Sequence, residues 1–309
     1  MSRRRLFSAA LLAIFVLAAN MSGQAPPPTP AAEPAASPAW RTFYDVDGKP
    51  LPFATDEELL QFLRTAEPTS EKNLGGGINF PLKVVLERNG VRANAVFRDV
   101  DVERDKPSFG GGKNEIGFKD SYVYEPAAYE LGLMLGLDNV PPAVLRKHHY
   151  KNGSFQIFVE NAMTELKQVK EGIQPPDDQE WKKQVQMMNV FDALIYNTDR
   201  NRGNVLITPD WRLWMIDHTR AFRKISTLQD PESIHQCERS LYQKLKTLDE
   251  VQVRQRMKPY LSVWEIDALL ARRKLLLARL DKLIAENGED KVLYTFVWVP
   301  AATGAAKPQ

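Results

Sequence analysis

The segment YNTDRNRGNVLITPDWRLWMIDHTRAF, from Tyr196 to Phe222, places acids, amides and arginines around two short apolar runs. Asp199 and Asn204 precede the first run, and Asp217 follows the second. Asn204 and Asp217 would supply an amide oxygen and a carboxylate, and Mg²⁺ favours such oxygen ligands while it keeps waters or substrate phosphates for its other positions. Asp199 would supply a carboxylate that can orient an attacking hydroxyl group. The residue types therefore predict metal-assisted chemistry on a hydroxyl group.

The two apolar runs, NVLI and RLWMI, predict a β-hairpin that brings these polar residues together. The intervening TPDW has Pro209 at a favoured turn position. A hairpin folded about the Asp210–Trp211 bond would place Asn204 directly opposite Asp217, with β-carbons about 4.5–5.5 Å apart. Two oxygen-bearing side chains so placed can share one cation.

The chain before this segment is rich in predicted strands. PLKVVLER and VRANAVFRDV flank the pair Asn89-Gly90, which is the strongest short hairpin signal, and a glycine run precedes them. A second pair, Asn152-Gly153, predicts another hairpin. His148 and His149 lie beside this second turn and fit either a solvated turn or a metal-binding pair.

Helical spacing marks five further segments. TDEELLQFLRTAE has a capping box, Thr55 with Glu58. In EPAAYELGLML, Pro126 fits only the first turn, which puts Glu125 near the start of the helix. DQEWKKQVQMMNVFDALIYN, SIHQCERSLYQKLKTL and a last helix that stops at Gly288 follow. Strands followed mainly by helices predict a two-lobed α+β architecture.

Composition excludes several classes of site. The 309 residues carry a net charge of +2, and no basic stripe is interleaved with aromatic residues, so we expect no nucleic-acid partner. The single cysteine, Cys237, can form neither an internal disulfide nor a thiolate metal site.

The N-terminus has the pattern of a secretory signal. MSRRR is basic, LFSAALLAIFVLAA is apolar and NMSGQA is small and polar, so residues 1–25 are predicted to direct export to a periplasmic or extracellular location. The apolar run is shorter than the roughly 20 residues of a membrane-spanning helix. An uncleaved signal anchor is the alternative and would be the sole membrane attachment. Residues 26–40 are rich in Pro and Ala and predict an extended linker.

The spacing Asp-x4-Asn, then a hairpin, then Asp resembles that of the atypical kinases, namely phosphoinositide kinases, HipA-type kinases and secretory-pathway kinases. The resemblance covers roughly residues 73–222. It implies a bilobal, protein-kinase-like α+β fold with a β-rich, nucleotide-binding N-lobe over residues 41–160, a helical, catalytic C-lobe over 161–290 and a tail over 291–309. It also implies ATP-dependent transfer of a phosphoryl group, with Mg²⁺ or Mn²⁺, to a hydroxyl group on a protein, glycan or lipid.

The same resemblance assigns roles to individual residues. Asp199 would be the catalytic base, and Asn204 and Asp217 would hold the metal. In the N-lobe, Glu125 would pair with the cation that contacts the nucleotide phosphates, with Glu130 as second choice. The nucleotide itself would be bound by the glycine run and by the segment joining the lobes: Gly75, Gly76, Gly77, Phe158, Val159 and Glu160.

One position departs from the kinase pattern. Where these kinases have a lysine for the α- and β-phosphates, this chain has Arg98, and arginine and lysine are not interchangeable. Lys83 on the preceding strand is the alternative cation. The departure leaves open a catalytically inactive kinase fold that serves as a binding module. A metal-dependent hydrolase that uses the same carboxylates is a third hypothesis.

Overall fold

The computed structural model describes residues 41–75, 81–104 and 117–297, together with the backbone of two short strands at 108–109 and 113–114. The predicted signal and linker, residues 1–40, lie outside the described residues, as do Gly76 and Gly77. Within the described ranges, none of the helices is both long and apolar enough to cross a membrane.

The N-lobe contains most of the strands. In chain order they are β1 (Glu67–Asn73), β2 (Leu82–Arg88), β3 (Val91–Arg98), β4 (Asp101–Arg104), β5 (Ser108–Phe109), β6 (Lys113–Asn114), β7 (Phe118–Ser121), β8 (Ala143–Leu145) and β9 (Ser154–Ile157). The main sheet has five strands in the order β1-β2-β3-β9-β8, and each neighbouring pair is antiparallel. Two helices, α1 (Asp56–Thr65) and α2 (Tyr124–Leu135), contact β8 and β9.

The first predicted hairpin and the first two predicted helices are confirmed. Arg88 pairs with Val91, and the intervening Asn89 and Gly90 both have positive φ, as a two-residue hairpin turn of the primed type requires. The α1 helix begins with the predicted capping box. The α2 helix begins at Tyr124, with Pro126 in its first turn.

The predicted turn at Asn152-Gly153 is wrong. His148 and Lys151 pair with each other, so the turn residues are His149 and Tyr150, with φ of 48° and 65°. Gly153 instead lies in the returning arm, where a β-carbon would be 2.3 Å from the ring of Phe97. The glycine at this position allows close packing against Phe97, and the turn is formed elsewhere.

The C-lobe is mainly helical. Its helices are α3 (Glu165–Glu171), α4 (Asp178–Ile195), α5 (Arg239–Thr247), α6 (Glu250–Met257), α7 (Val263–Asn287) and α8 (Glu289–Val292). Its strands are β10 (Met163–Thr164), β11 (Val205–Ile207), β12 (Leu213–Met215), β13 (Cys237–Glu238) and β14 (Leu293–Tyr294). The β10, β11 and β12 strands form one small sheet, and β13 pairs with β14 in parallel.

Two C-terminal segments differ in detail from the sequence prediction. The helix predicted from Ser233 begins only at Arg239, because Cys237 and Glu238 pair with β14. Within the predicted tail, residues 291–297 are described, and Val292 and Leu293 are buried in the core.

The predicted register of the β11–β12 hairpin is wrong by one residue. Val205 pairs with Met215, and the carbonyl of Asn204 accepts the N–H of Ile216, so Asn204 is not directly opposite Asp217. The reason is a three-residue loop that ends in Trp211, whose φ is 61°. A three-residue hairpin loop usually closes with one residue in this left-handed conformation, which shifts the centre of the turn away from the Asp210–Trp211 bond.

Candidate active site

The loop between α4 and β11 carries Asp199 and Asn204, and Arg200 fixes its shape. The Arg200 guanidinium contacts the Asp192 carboxylate through two nitrogens, at 2.8 and 3.1 Å. Its Nη1 also donates to the carbonyls of Asn204, at 2.6 Å, and Ile216, at 2.7 Å. This one guanidinium therefore joins the end of α4, the loop and both arms of the hairpin.

Within this loop, Asn204 is oriented by its own amide. Its Nδ2 donates to the backbone carbonyl of Asp199 at 2.8 Å, which leaves the amide oxygen available as an acceptor or a metal ligand. Ile216, the pairing partner of Asn204, is followed directly by Asp217. The loop and the hairpin thus bring Asn204 beside the end of β12 despite the shifted register.

The Asp199 side chain is 36% exposed, so it can meet a molecule from solution. Asn201 Nδ2 donates to its carboxylate at 3.3 Å, and Arg220 lies 3.7 Å from it. Burial raises the pKa of Asp199, the Arg220 charge opposes that rise and the Asp217 charge adds to it, so the pKa lies above its ordinary value. A carboxylate with a raised pKa is a better proton acceptor at neutral pH.

Asp217 is linked to the N-lobe through Arg98. The Arg98 Nε lies 3.6 Å from the Glu125 carboxylate and 3.8 Å from the Asp217 carboxylate. Arg98 ends β3, Glu125 lies in the first turn of α2, and Asp217 follows β12 with φ of 58°. Arg98 thus lies beside Glu125, the residue that the resemblance pairs with a cation, and it also lies close to Asp217.

Glu125 is fully buried and has several partners. Its carboxylate accepts the backbone N–H of His218 at 3.0 Å and the Gln156 side-chain amide at 3.0 Å, and it lies 3.3 Å from His218 Nδ1. Burial alone would raise the pKa of Glu125, but the Arg98 charge and the contacts with His218 lower it below its ordinary value. Glu125 is therefore ionised at neutral pH and joins α2 to the residue that follows Asp217.

Arg98 retains an unused donor. Its Nη1 is buried and has no hydrogen-bond partner among the described residues. A buried N–H group without a partner is costly, and an anionic oxygen is a strong partner for a guanidinium. The chemistry at this position therefore suits a phosphate group.

The alternative residues for these roles have other partners. Lys83 lies 3.5 Å from the Glu160 carboxylate, and its ammonium lies 3.6 Å from the centre of the Phe158 ring. Glu130, the second choice for the ion pair, contacts Arg256 at 2.5 Å instead. These contacts leave the buried position beside Glu125 to Arg98.

The predicted nucleotide residues are described only in part. Gly75, with φ of 66°, follows β1, while Gly76 and Gly77 lie outside the described residues. The Phe158 N–H donates to the Asn94 carbonyl at 2.9 Å, so that group is already used within the N-lobe. Val159 is buried next to it, and the Glu160 side chain accepts from Asn94 Nδ2 at 2.6 Å as well as pairing with Lys83.

Sequence reasoning assigned no role to Arg272, a C-lobe residue that holds two backbone segments next to the candidate active site. This fully buried residue of α7 donates to the carbonyls of Leu194, at 2.7 Å, Arg223, at 2.9 Å, and Ile225, at 2.5 Å. It joins the end of α4 to the segment after Asp217. A signal was present, because an arginine stands at an inner position of an otherwise apolar helical face.

Comparisons with known proteins give structural neighbours but no sequence family. No protein-family model matches this chain, and no curated protein matches it. The solved structure of hydra Fam20 with sugar is similar to it, with a TM-score of 0.59 and 16% identity, over 77% of this chain and 92% of that chain. The Helicobacter pylori proinflammatory kinase CtkA has a TM-score of 0.45 and 12% identity, over 73% of this chain and 97% of that chain.

The Fam20 likeness concerns the fold. This similarity confirms that the chain has a bilobal, kinase-like α+β fold, as its resemblance to atypical kinases predicted.

Proposed function

We propose that this protein is an exported phosphotransferase that moves a phosphoryl group from ATP to a hydroxyl group on a protein, glycan or lipid. The observation that carries the proposal is the contact of Arg98 with both Glu125 and Asp217. This contact joins a cation suited to phosphates, an ionised carboxylate that holds it and a carboxylate suited to a metal ion. The kinase-like fold makes phosphoryl transfer the natural use of such a set.

The side chains fit the cofactors that this activity needs. The Asn204 amide oxygen and the Asp217 carboxylate would hold Mg²⁺ or Mn²⁺, which favour oxygen ligands. The unpartnered Nη1 of Arg98 would donate to the nucleotide phosphates. Gly75 to Gly77 would cover those phosphates, and residues 158–160 would line the base. Bound ATP and metal would supply the transferable group and neutralise its charge.

Asp199 would act on the acceptor. Its partly exposed carboxylate accepts the proton of the incoming hydroxyl, and its raised pKa favours that step. Asn201 and Arg220 hold its orientation. The predicted signal over residues 1–25 supports an exported location.

A catalytically inactive kinase fold is the second candidate function, and the presence of Arg98 instead of lysine favours it. Arginine is bulkier and planar, so it can hold the ion pair while placing the phosphates differently. Such a protein would bind nucleotide or a partner without transferring phosphate.

Nucleotide-dependent stabilisation and phosphate transfer separate these functions. We expect ATP with Mg²⁺ or Mn²⁺ to raise the melting temperature, and radiolabelled phosphate to pass to a protein, glycan or lipid acceptor. Asp199→Ala should abolish transfer but keep nucleotide binding, Asp217→Ala should lose the metal-dependent part of binding, and Asp290→Ala, at a fully exposed carboxylate, should change neither. Binding without transfer would favour the inactive fold, phosphate release without transfer a hydrolase, and no binding would end both kinase proposals.

A further inference from the structure

A second group of side chains with metal-ligand chemistry lies in the N-lobe, outside the candidate active site. Glu71 on β1 contacts His148 and His149, which begin the turn between β8 and β9. Its Oε2 lies 2.8 Å from His148 Nε2 and 2.9 Å from His149 Nε2, and the three ligand atoms lie within 4.8 Å of one another. We call these three residues the histidine cluster.

The histidine cluster and Arg98 are on different faces of the sheet. Phe97 and Arg98 are successive residues of β3, so their side chains point to opposite faces. The His148 ring packs edge-on against Phe97, with ring centres 5.0 Å apart, whereas Arg98 contacts Glu125. Any ion in the cluster would therefore be distinct from one held by Asn204 and Asp217.

The backbone turn places both imidazoles on the same side. In a regular strand, successive side chains alternate between faces, so two adjacent histidines would point apart. Here His149 has φ of 48°, a left-handed conformation that is uncommon outside glycine, and the two rings lie with centres only 4.0 Å apart. The paired hydrogen bonds between His148 and Lys151, at 3.0 and 2.9 Å, hold this turn.

One histidine is rigid and the other two groups can adjust. The His148 side chain is 6% exposed and packs against Phe97 and Phe155. The side chains of His149 and Glu71 are 64% and 40% exposed. Ligand atoms of a tetrahedral Zn²⁺ site lie about 3.4 Å apart, since the bonds are about 2.0–2.2 Å long. The two distances from Glu71 to the histidines therefore need to lengthen by only about half an ångström to admit the ion, and the two imidazole nitrogens already lie within 4.8 Å of each other.

From this geometry we propose that Glu71, His148 and His149 bind Zn²⁺ as a second metal site, with water in the open position. Two imidazoles and one carboxylate are a typical ligand set for Zn²⁺, whereas Mg²⁺ and Ca²⁺ take oxygen ligands. Because β1 and β8 are opposite edges of the main sheet, the ion joins the first strand to the hairpin at the far edge. Zinc binding stabilises the N-lobe through this link.

The test is a zinc titration of the chelator-treated full chain by calorimetry, repeated with Co²⁺ to obtain the visible absorption of a tetrahedral nitrogen- and oxygen-ligated site. We expect one Zn²⁺ per chain in excess of any bound through Asp217, and a higher melting temperature with Zn²⁺ but not with Mg²⁺. His149→Ala and Glu71→Gln should each weaken this binding by at least about tenfold, since even an indirect partner of a metal ligand contributes about 10–100-fold. They should also abolish the Co²⁺ absorption.

Two controls locate the site. His235→Ala removes an exposed histidine elsewhere and should leave zinc binding unchanged. Asp217→Asn alters the proposed catalytic metal ligand and should leave the Co²⁺ absorption unchanged. Equal zinc affinity in the wild type and in His149→Ala, or a Co²⁺ absorption that Glu71→Gln does not alter, would overturn the proposal. Neither result bears on phosphate transfer, which is measured separately.

Discussion

On the C-lobe side of the candidate active site, the guanidinium groups of Arg200 and Arg272 donate to backbone carbonyls. On the N-lobe side, the Arg98 guanidinium contacts the side-chain carboxylates of Glu125 and Asp217 instead. A guanidinium that satisfies several buried carbonyls fixes the path of the chain. A guanidinium between two carboxylates, with one donor unused, can still rearrange around a ligand. The difference separates the residues that shape the site from Arg98, the residue that we propose contacts a phosphate.

The largest expected effect is on the C-lobe side. Arg272→Ala leaves buried carbonyls at Leu194, Arg223 and Ile225 without a donor, so the free energy of unfolding should fall by about 3–5 kcal/mol. Urea denaturation measures it. Lys274→Ala, at an exposed position of the same helix, is the control and should change stability by less than about 0.5 kcal/mol. Equal stability of Arg272→Ala and the wild type would show that Arg272 does not fix the backbone of the C-lobe side.

The next effect concerns the strand that carries Arg98. In Gly153→Ala the new β-carbon would lie 2.3 Å from the Phe97 ring and 2.5 Å from the Arg98 carbonyl, so the end of β3 must shift. We expect a loss of about 1–3 kcal/mol in stability, as for other overpacked positions. Thermal unfolding measures it. Gly203→Ala is the comparison variant, because its β-carbon would meet only the end of the Asn201 side chain, at 2.9 Å, which can turn away, whereas the Arg98 carbonyl cannot. A fully stable Gly153→Ala would show that β3 moves freely.

Arg98→Lys tests the N-lobe side of the site. Lysine keeps the charge but offers one compact ammonium, which cannot serve Glu125, Asp217 and a phosphate as a guanidinium can. Stability should change by less than about 1 kcal/mol, while nucleotide affinity should fall about 5–30-fold, the equivalent of about 1–2 kcal/mol. Calorimetric titration with ATP and Mn²⁺ gives the affinity. Tighter binding by the lysine variant would mean that Arg98 hinders the nucleotide.

The smallest effect lies away from the site, at Cys237. Burial raises the pKa of this thiol to about 12, and the thiolate is the reactive form. Alkylation at pH 8 should therefore be slow in the folded chain and fast in urea. Above a pH of about 8.5 the unfolded chain loses this proton before the folded chain does, so the contribution of Cys237 to stability should decline as pH rises. Mass spectrometry of the labelled chain measures the rate of alkylation, since Cys237 is the sole thiol. Rapid labelling in the folded state would contradict the burial.

Local sequence signals predicted the helices and strands, but not every turn and register that connects them. Helix caps, the Asn89-Gly90 turn and the spacing of Asp199, Asn204 and Asp217 are readable because they depend on neighbouring residues. The hairpin register was not readable, because it depends on the left-handed conformation of Trp211, a residue type that gives no such signal.

The wrong prediction of a turn at Asn152-Gly153 has a different physical cause. An Asn-Gly pair normally marks a turn, but at Gly153 the ring of Phe97, a residue far away in sequence, leaves no space for a β-carbon. Likewise, the partners of Arg200 and Arg272 are backbone carbonyls that only the tertiary fold brings near. The position of Arg272 on an apolar helical face indicates that it is buried, but the sequence does not identify the carbonyls that it contacts.

Glu125 has a consequence for how such a protein would be controlled. It accepts the backbone N–H of His218, immediately after Asp217, and it belongs to the first turn of α2. An outward displacement of α2 would separate Glu125 from Arg98 and leave a buried charge without its partner, at a cost of about 3–5 kcal/mol. We therefore expect α2 to remain in contact with Arg98 and with the residue after Asp217 even when no ligand is bound. The timing of any reaction would then be set by the arrival of nucleotide, metal or acceptor.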